Sequence, residues 1–252
     1  MNVILLEPGE PSADGQVTLD DDRARHLRKI LKVALGDEVR VGVVDGNVGV
    51  GTVIALGARS VTLRCHLDQP APERGRDELL LAFARPKVLL RCVEHATALG
   101  FGSIVLFRSR RVEKSHMDSS AIQNEVLQRH VRRGLHQARR THRPTITLVP
   151  RFRELLDRYA AEATREDRFV ADPGAAEEAA LAPIGARAFS LVIGPEGGFI
   201  QYELEELTSR GFRPVRAGHQ PLRVETAVSY LTGQLRAARA IAARAPAIAV
   251  RD

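Results

Sequence analysis

Two short segments near the C-terminal end of this chain combine the residue types that build a ligand pocket from backbone. They are Leu191-Val-Ile-Gly-Pro-Glu-Gly-Gly-Phe-Ile200 and Leu222-Arg-Val-Glu-Thr-Ala-Val228. Phe189 to Ile193 is an apolar run that reads as a buried parallel strand. It stops at Gly194-Pro195, and Gly197-Gly198 follow before a helical pattern opens near Gln201. Glycine admits positive φ and lets a ligand approach the backbone closely, whereas proline fixes φ and gives up a donor. One such turn is equally a tight strand-to-helix connection. Two of them at the end of one α/β chain favour a site.

A second chemical signal is the stretch Arg129 to Arg143, with six arginines, three histidines and no acid. The whole chain of 252 residues carries a formal charge of +6. Residues 1–72 hold 8 Lys/Arg against 10 Asp/Glu, a net of −2, so the remainder carries +8. Arginine suits planar phosphate contacts, and the run is expected to bind nucleic-acid phosphates rather than to be a merely solvated face. With no Trp and three Tyr, base stacking on aromatic platforms is not the expected mode.

Other chemistries find no support. There is no G-x-G-x-x-G after a strand, no G-x-x-x-x-G-K-[ST], no H-E-x-x-H and no C-x-x-C. A nicotinamide fingerprint, a P-loop and a metal site are therefore not expected. Cys65 and Cys92 stand apart and read as reduced structural residues. No apolar run approaches the roughly 20 residues a bilayer requires. The segment Met1 to Pro8 is too short and too acidic for a signal peptide, so a cytoplasmic location is expected, without a membrane partner.

The elements that must position these residues divide near residue 72. Before it come β-like runs at Val39–Val44, Val48–Ile54 and Val61–Cys65, with Asp45-Gly46-Asn47 as a hairpin turn. A helical piece from Arg23 to Leu31 follows Asp20-Asp-Asp22, which supplies a cap and a dipole partner. This predicts a small strand-rich domain over 1–72, of barrel type, and Gln69 to Arg76 reads as a linker. From residue 77 to about 245 strands and helices alternate. Strands are expected at Leu79–Ala84, Ser103–Phe107, Thr145–Val149, Arg168–Ala171, Phe189–Ile193 and Pro214–Ala217. Helices are expected from Pro86 to Gly100, from about Asp118 to Arg140, and from Val224 to Arg244. Such alternation predicts a mainly parallel sheet covered on both faces, with ligands beyond the carboxyl ends of its strands.

The two C-terminal motifs, Gly194-Pro-Glu-Gly-Gly-Phe199 and Leu222-Arg-Val-Glu-Thr-Ala227, resemble the signature of the ribosomal RNA small-subunit methyltransferase E family. That family belongs to the SPOUT class. His26-Leu-Arg-Lys-Ile-Leu-Lys32, Gly36-Asp-Glu-Val39 and Arg110-Arg-Val-Glu-Lys-Ser115 are also similar, and the resemblance spans residues 1 to about 240. The chain departs from the family pattern at Gln220 and Pro221, where Arg and Ile are usual. It departs again at Leu135-His-Gln-Ala-Arg-Arg140, which replaces a usual Glu-Gln-Ser-Gly-Arg. The resemblance implies an α/β fold with a C-terminal SPOUT-type trefoil-knotted sheet and an N-terminal PUA-like β-barrel. It also implies a homodimer that uses S-adenosyl-L-methionine to methylate N3 of a uridine in 16S rRNA, on free RNA or on the small ribosomal subunit.

On that basis the backbone around Ile193, Gly194, Gly197, Gly198 and Gly218, with Leu222 to Val224, is expected to hold the cofactor. Arg223 is expected to stabilise charge on the uracil, and Glu196 to orient a partner or accept a proton. Glu225 and Thr226 are expected to be helix-start groups. Expected RNA contacts are Arg25, His26, Arg28, Lys29, Arg132, Arg133, Arg139 and Arg140. Two rival readings are a SPOUT enzyme with another RNA target and an RNA-binding protein with an inactive pocket.

Overall fold

The computed structural model describes residues 3–113, 120–159 and 167–244. They fall into two compact units: the chain up to Arg74 together with Val131–Arg143, and Gly75–His130 together with the chain from Pro144 onward.

In the first unit, β1 (Ile4–Leu6) and β2 (Gln16–Leu19) precede α1 (Asp22–Arg25), and β3 (Glu38–Val43), β4 (Val48–Leu56) and β5 (Val61–Gln69) follow. They form a curled sheet of order β1-β3-β4-β5-β2. The β1–β3 pair is parallel and the others are antiparallel. The sheet curls over Leu6, Leu19, Leu27, Val41, Val53 and Leu63. Asp21 caps α1 by accepting the Arg23 N–H at 2.8 Å. The helix expected over Arg23–Leu31 is present, but from His26 to Leu31 it widens into a π-helix that ends at Lys32, φ 52°. The expected Asp45–Asn47 turn joins β3 to β4, with Asp45 at φ 58°.

Residues 141–143 strap this hairpin. Thr141 Oγ1 donates to the Gly46 carbonyl at 2.8 Å, and the Thr141 carbonyl accepts the Asp45 N–H at 2.9 Å. A Cβ on Gly42 would stand 2.7 Å from Thr141 Cγ2, so only glycine admits the strap there. The Asp45 carboxylate takes the Arg143 N–H at 3.0 Å and its Nε at 2.8 Å.

The second unit contains β6 (Glu78–Ala82), α2 (Pro86–Leu99), β7 (Ser103–Phe107), a 3₁₀ turn at Ser120–Ile122 and α3 (Asn124–Ala138), whose last turns belong to the first unit. Then come β8 (Thr145–Val149), α4 (Phe152–Arg158), β9 (Asp167–Ala171), β10 (Phe189–Ile193), α5 (Gln201–Thr208), β11 (Arg213–Val215) and α6 (Val224–Arg244). The sheet order is β11-β9-β10-β6-β7-β8, and every pairing is parallel. β10 is buried along its whole length, as a parallel strand covered on both faces must be.

Several boundaries differ from expectation. α3 begins at Asn124, after the 3₁₀ turn, and Asp118 lies outside the described residues, as do Lys114 and Ser115. It ends at Ala138 because Arg139 turns left-handed at φ 55°. β1, β2 and α4 were not expected; they are short, and their periodicity is correspondingly weak. β11 stops at Val215, with Arg216 forming only an isolated bridge to Glu178. No helix among the described residues is long and apolar enough to cross a membrane.

The last helix is fastened to the start of the sheet by Asp77, whose side chain is 5% exposed. It pairs with Arg236 at 2.9 Å and Arg239 at 2.6 Å. Removing one partner of a buried pair is strongly destabilising, because the remaining charges lose their compensation. Asp77→Asn is expected to lower the unfolding free energy by about 3 kcal/mol. Urea titration checks this, and a midpoint equal to wild type would mean that α6 is held by apolar packing alone.

Candidate active site

Four adjacent strands, β9, β10, β6 and β7, end on the same side of the parallel sheet, and a cleft of about 820 Å³ lies beyond them. The chain winds outward from β6 through β7 to β8, then resumes on the opposite side at β9. Its direction of winding therefore reverses beside β6, and this is where open α/β sheets bind ligands. The walls come from Ala171–Gly174 after β9, Ile193–Phe199 after β10, Arg85 after β6 and Arg111 after β7. Pro221–Glu225 at the start of α6 closes the remaining side. Both sequence motifs thus face one cavity.

The glycine-rich loop is shaped by three different constraints. The Gly198 N–H donates to the Pro195 carbonyl at 2.8 Å, closing a tight turn. A Cβ on Gly194 would lie 3.2 Å from the Phe199 ring, which stacks on Phe107 with centroids 6.4 Å apart. A Cβ on Gly197 would lie 3.3 Å from Arg111 Cδ. Gly198 is different. It has φ +68° and no heavy atom within 4 Å of where its Cβ would be, so conformation rather than crowding calls for glycine, and the space in front of it stays open.

Two carboxylates hold the loop. Glu203 on α5 is 2% exposed. It accepts the Arg110 N–H at 2.8 Å, the Ser109 hydroxyl at 3.1 Å and the Ile200 N–H at 3.1 Å. Glu196 Oε1 accepts the Arg85 N–H at 3.0 Å, where α2 begins. Arg111 donates from Nη1 to the Gly197 carbonyl at 2.6 Å. Glu225, in the first turn of α6, pairs with Arg91 of α2 at 3.6 Å. Beneath the cleft, burial first and then the nearby Glu225 and Glu196 push the Cys92 thiol up to about 12, so it stays protonated and is no nucleophile.

Of the residues expected at the site, the structure brings Ile193, Gly194, Glu196, Gly197, Gly198, Leu222, Arg223 and Val224 into the cleft. Gly218 is not among its lining residues. The chain bends through residues 217–220, and Pro221 is the first residue of that loop to reach the wall. Arg223 is exposed, and its guanidinium makes no hydrogen bond or ion pair among the described residues. Arg85, Arg91, Arg111 and Asp172 were missed, because they follow other strands far from the motifs in sequence. The signal available was their position just beyond strands β6, β7 and β9 or on the adjoining helix.

The expected RNA contacts lie in the first unit. Arg25, Arg28 and Lys29 line a groove of about 650 Å³ together with Asp20–Asp22, Ala58 and Arg59. His26 meets His136 edge-on, with ring centroids 5.6 Å apart. The arginine run is not uniformly free. Arg132 pairs with Glu7 at 2.6 Å, Arg140 donates to the Glu73 carbonyl at 2.6 Å, and Arg143 is held by Asp45. Arg133 and Arg139 are exposed and unpaired among the described residues. Of the four arginines of this run expected to contact RNA, those two remain available without breaking a contact.

Comparison with known proteins decides the family. Residues 73–236 match the profile of the RNA methyltransferase domain. The chain belongs to that RNA methyltransferase family. Residues 19–64 match the RNA methyltransferase PUA domain. The ribosomal RNA small subunit methyltransferase E of Treponema pallidum is 27% identical, over 90% of this chain and 87% of its own. A Borreliella burgdorferi protein, ribosomal RNA small subunit methyltransferase E 1, is 23% identical over 90% and 94%. In fold, the chain is similar to a Neisseria gonorrhoeae ribosomal RNA small subunit methyltransferase E solved bound to S-adenosyl methionine. The TM-score is 0.74 at 20% identity, covering 94% of this chain and 97% of that one.

Two outcomes follow from this geometry. Gly198→Ala is expected to cost about 1 kcal/mol, because an L side chain resists the left-handed region, and Gly198→Asn less. Urea midpoints in the order wild type, Asn, Ala check the assignment. The second outcome concerns His136, where burial and then the neighbouring His26 hold the imidazole below its ordinary value of 6.5. The fold therefore prefers the neutral ring, and this stability is present above about pH 6.5 and lost as pH falls through the folded value. The wild-type unfolding midpoint should drop between pH 7.5 and 5.5, with a shallower drop in His136→Phe.

Proposed function

We propose that this protein is an S-adenosylmethionine-dependent methyltransferase that modifies N3 of a uridine in 16S rRNA of the small ribosomal subunit. The observation that carries the reading is the single cleft walled by both motif loops at the winding reversal of a parallel sheet, in a chain of the RNA methyltransferase family. The rRNA target is supported by the named relatives, which align over nine-tenths of the chain. The residues fit the cofactor. Backbone at Ile193–Gly198 and Leu222–Val224 forms the wall, and the absent side chain of Gly198 leaves the volume that a ligand approaching the backbone needs.

When bound, S-adenosylmethionine supplies an electrophilic methyl group on a sulfonium. The chain's own work is positioning and electrostatics. The uridine must present its Watson–Crick edge, so it enters unpaired or turned out of its stack. Its N3 carries a proton, which would pass to water at the cleft mouth as the N–CH3 bond forms and the cofactor's S–CH3 bond breaks, so attack requires negative charge on the ring. Glu196 is engaged with the Arg85 N–H and Glu225 with Arg91. We therefore assign both to holding the start of α2 and the start of α6, rather than to taking the proton. Arg223, like Arg85, has neither carboxylate nor carbonyl to satisfy its guanidinium among the described residues, and of the two it is Arg223 that stands in the second motif loop. A preorganised planar fork of this kind stabilises the charge that develops over the uracil carbonyls.

The reading has a direct test. Mass mapping of 16S rRNA from cells lacking the gene should show one uridine without its N3 methyl, restored by the wild-type gene. An unchanged map would point to another RNA. Arg223→Ala should lower kcat on the order of 10²-fold, as loss of one preorganised donor does. S-adenosylmethionine affinity by calorimetry should hardly move, and Arg223→Lys should recover part of the rate. Parallel loss of cofactor affinity and thermal stability would make Arg223 a loop pin instead.

A further inference from the structure

Four arginines line the cleft, Arg85, Arg91, Arg111 and Arg223, against three carboxylates, Asp172, Glu196 and Glu225. Every carboxylate is engaged. Asp172 Oδ1 accepts the Gly174 N–H at 2.9 Å, Glu196 accepts the Arg85 N–H at 3.0 Å, and Glu225 pairs with Arg91. Arg91 is thereby compensated. Arg85, Arg111 and Arg223 are all exposed, and none has an ion pair among the described residues. Four arginines against three carboxylates leave the cleft a net charge of +1, and three of the guanidinium groups reach it without an ion pair, so the field they set up favours an anion.

The cofactor does not account for that field. S-adenosylmethionine carries a sulfonium and an ammonium against one carboxylate, so its net charge is positive. A polyanion does account for it. If Arg223 serves the base, two cations remain for the backbone on either side. Arg85 and Arg111 follow β6 and β7, which are hydrogen-bonded neighbours in the sheet. Their loops therefore emerge side by side along one lip of the cleft.

Arg111 has a second attachment. Its stem lies over Gly197, and its Nη1 grips the Gly197 carbonyl at 2.6 Å. The rest of the guanidinium has no other hydrogen bond among the described residues. We propose that Arg85 and Arg111 bind the phosphates flanking the nucleotide that enters the cleft, and that Arg111 also transmits phosphate binding to the turn Pro195–Gly198. The proposal rests on the reading of the cleft as a methyltransferase site. Arg85 touches the cofactor loop only through its backbone N–H, so its side chain affects RNA alone. Arg111 affects both ligands.

The test uses the full-length protein with a short oligouridylate as the phosphate probe, and S-adenosylmethionine by calorimetry as a separate arm. Affinity for oligouridylate is measured by fluorescence anisotropy across a salt series for wild type, Arg85→Gln, Arg85→Lys, Arg111→Gln and Arg111→Lys. Each lost phosphate contact on a single strand should reduce the slope of log K against log salt by about 0.7, which is about fivefold in affinity at 0.1 M. Both Gln variants should show this, and both Lys variants should restore it, because the slope counts charge. Arg85→Gln should keep the cofactor affinity of wild type, and Arg111→Gln should weaken it. Unchanged slopes in the Gln variants, or no oligouridylate binding by wild type, would overturn the proposal. A cofactor effect of Arg111→Gln with an unchanged slope would reduce Arg111 to a clamp. If wild type fails to bind S-adenosylmethionine while the slopes still fall, the methyltransferase reading fails and the phosphate assignment stands.

Discussion

The buried carboxylate of Glu203 is the constraint on which the cleft depends. A charge removed from water is tolerated only when its hydrogen-bonding capacity is filled, and here the donors come from two different loops. Ser109 and Arg110 belong to the chain after β7, and Ile200 to the chain after β10. One side chain thus ties together two strand ends that are not neighbours in the sheet, since β6 and no other strand lies between them. The position of Arg111 against Gly197 follows from it, because Arg111 is the next residue along from the amide that Glu203 holds. Asp77 does the same work at the opposite ends of the strands, holding α6 through Arg236 and Arg239. The C-terminal half of α6 is thus held by Asp77, and its first turn by the Glu225–Arg91 pair.

The cleft also shows how a site can be made of backbone and still be specific. Its carboxylates are committed to amides and to one arginine, so the polar groups left facing the cavity are peptide edges and cations, set among apolar side chains such as Val88, Leu204 and Leu222. That division suits a reaction whose main demand is alignment.

What could be read from the sequence followed from burial. β7, β8 and β10 match their expected limits, because each is an apolar run cut by Gly, Pro or a change of period, and α6 begins where expected. The two motif loops could be read for the same reason, each standing beside such a run. Short strands at the sheet edge, such as β1 and β2, have too few residues to show a period of two. Nor does periodicity reveal how loops thread one another. Arg85 and Arg111 stand beyond strands that the sequence predicts, but that these strand ends share one cleft is decided by strand order, and strand order is a long-range property. The arginine run shows the same limit, since its partners Glu7, Asp45 and the Glu73 carbonyl, which take Arg132, Arg143 and Arg140, are all distant in sequence.

The strap formed by Thr141–Arg143 sets an order of events during synthesis. Gly42 is kept bare for Thr141, and Asp45 is oriented by Arg143, so the curled N-terminal sheet reaches its final form only after residue 143 has left the ribosome. Residues 75–130 must be made in the meantime, a delay of several seconds at ~5–20 residues per second. Through that interval the nascent sheet carries a β3–β4 hairpin without its strap, with Asp45 lacking its arginine partner. The N-terminal unit is therefore the first to begin folding but lacks its last residues until 143 is made, and its boundary in time differs from its boundary in sequence.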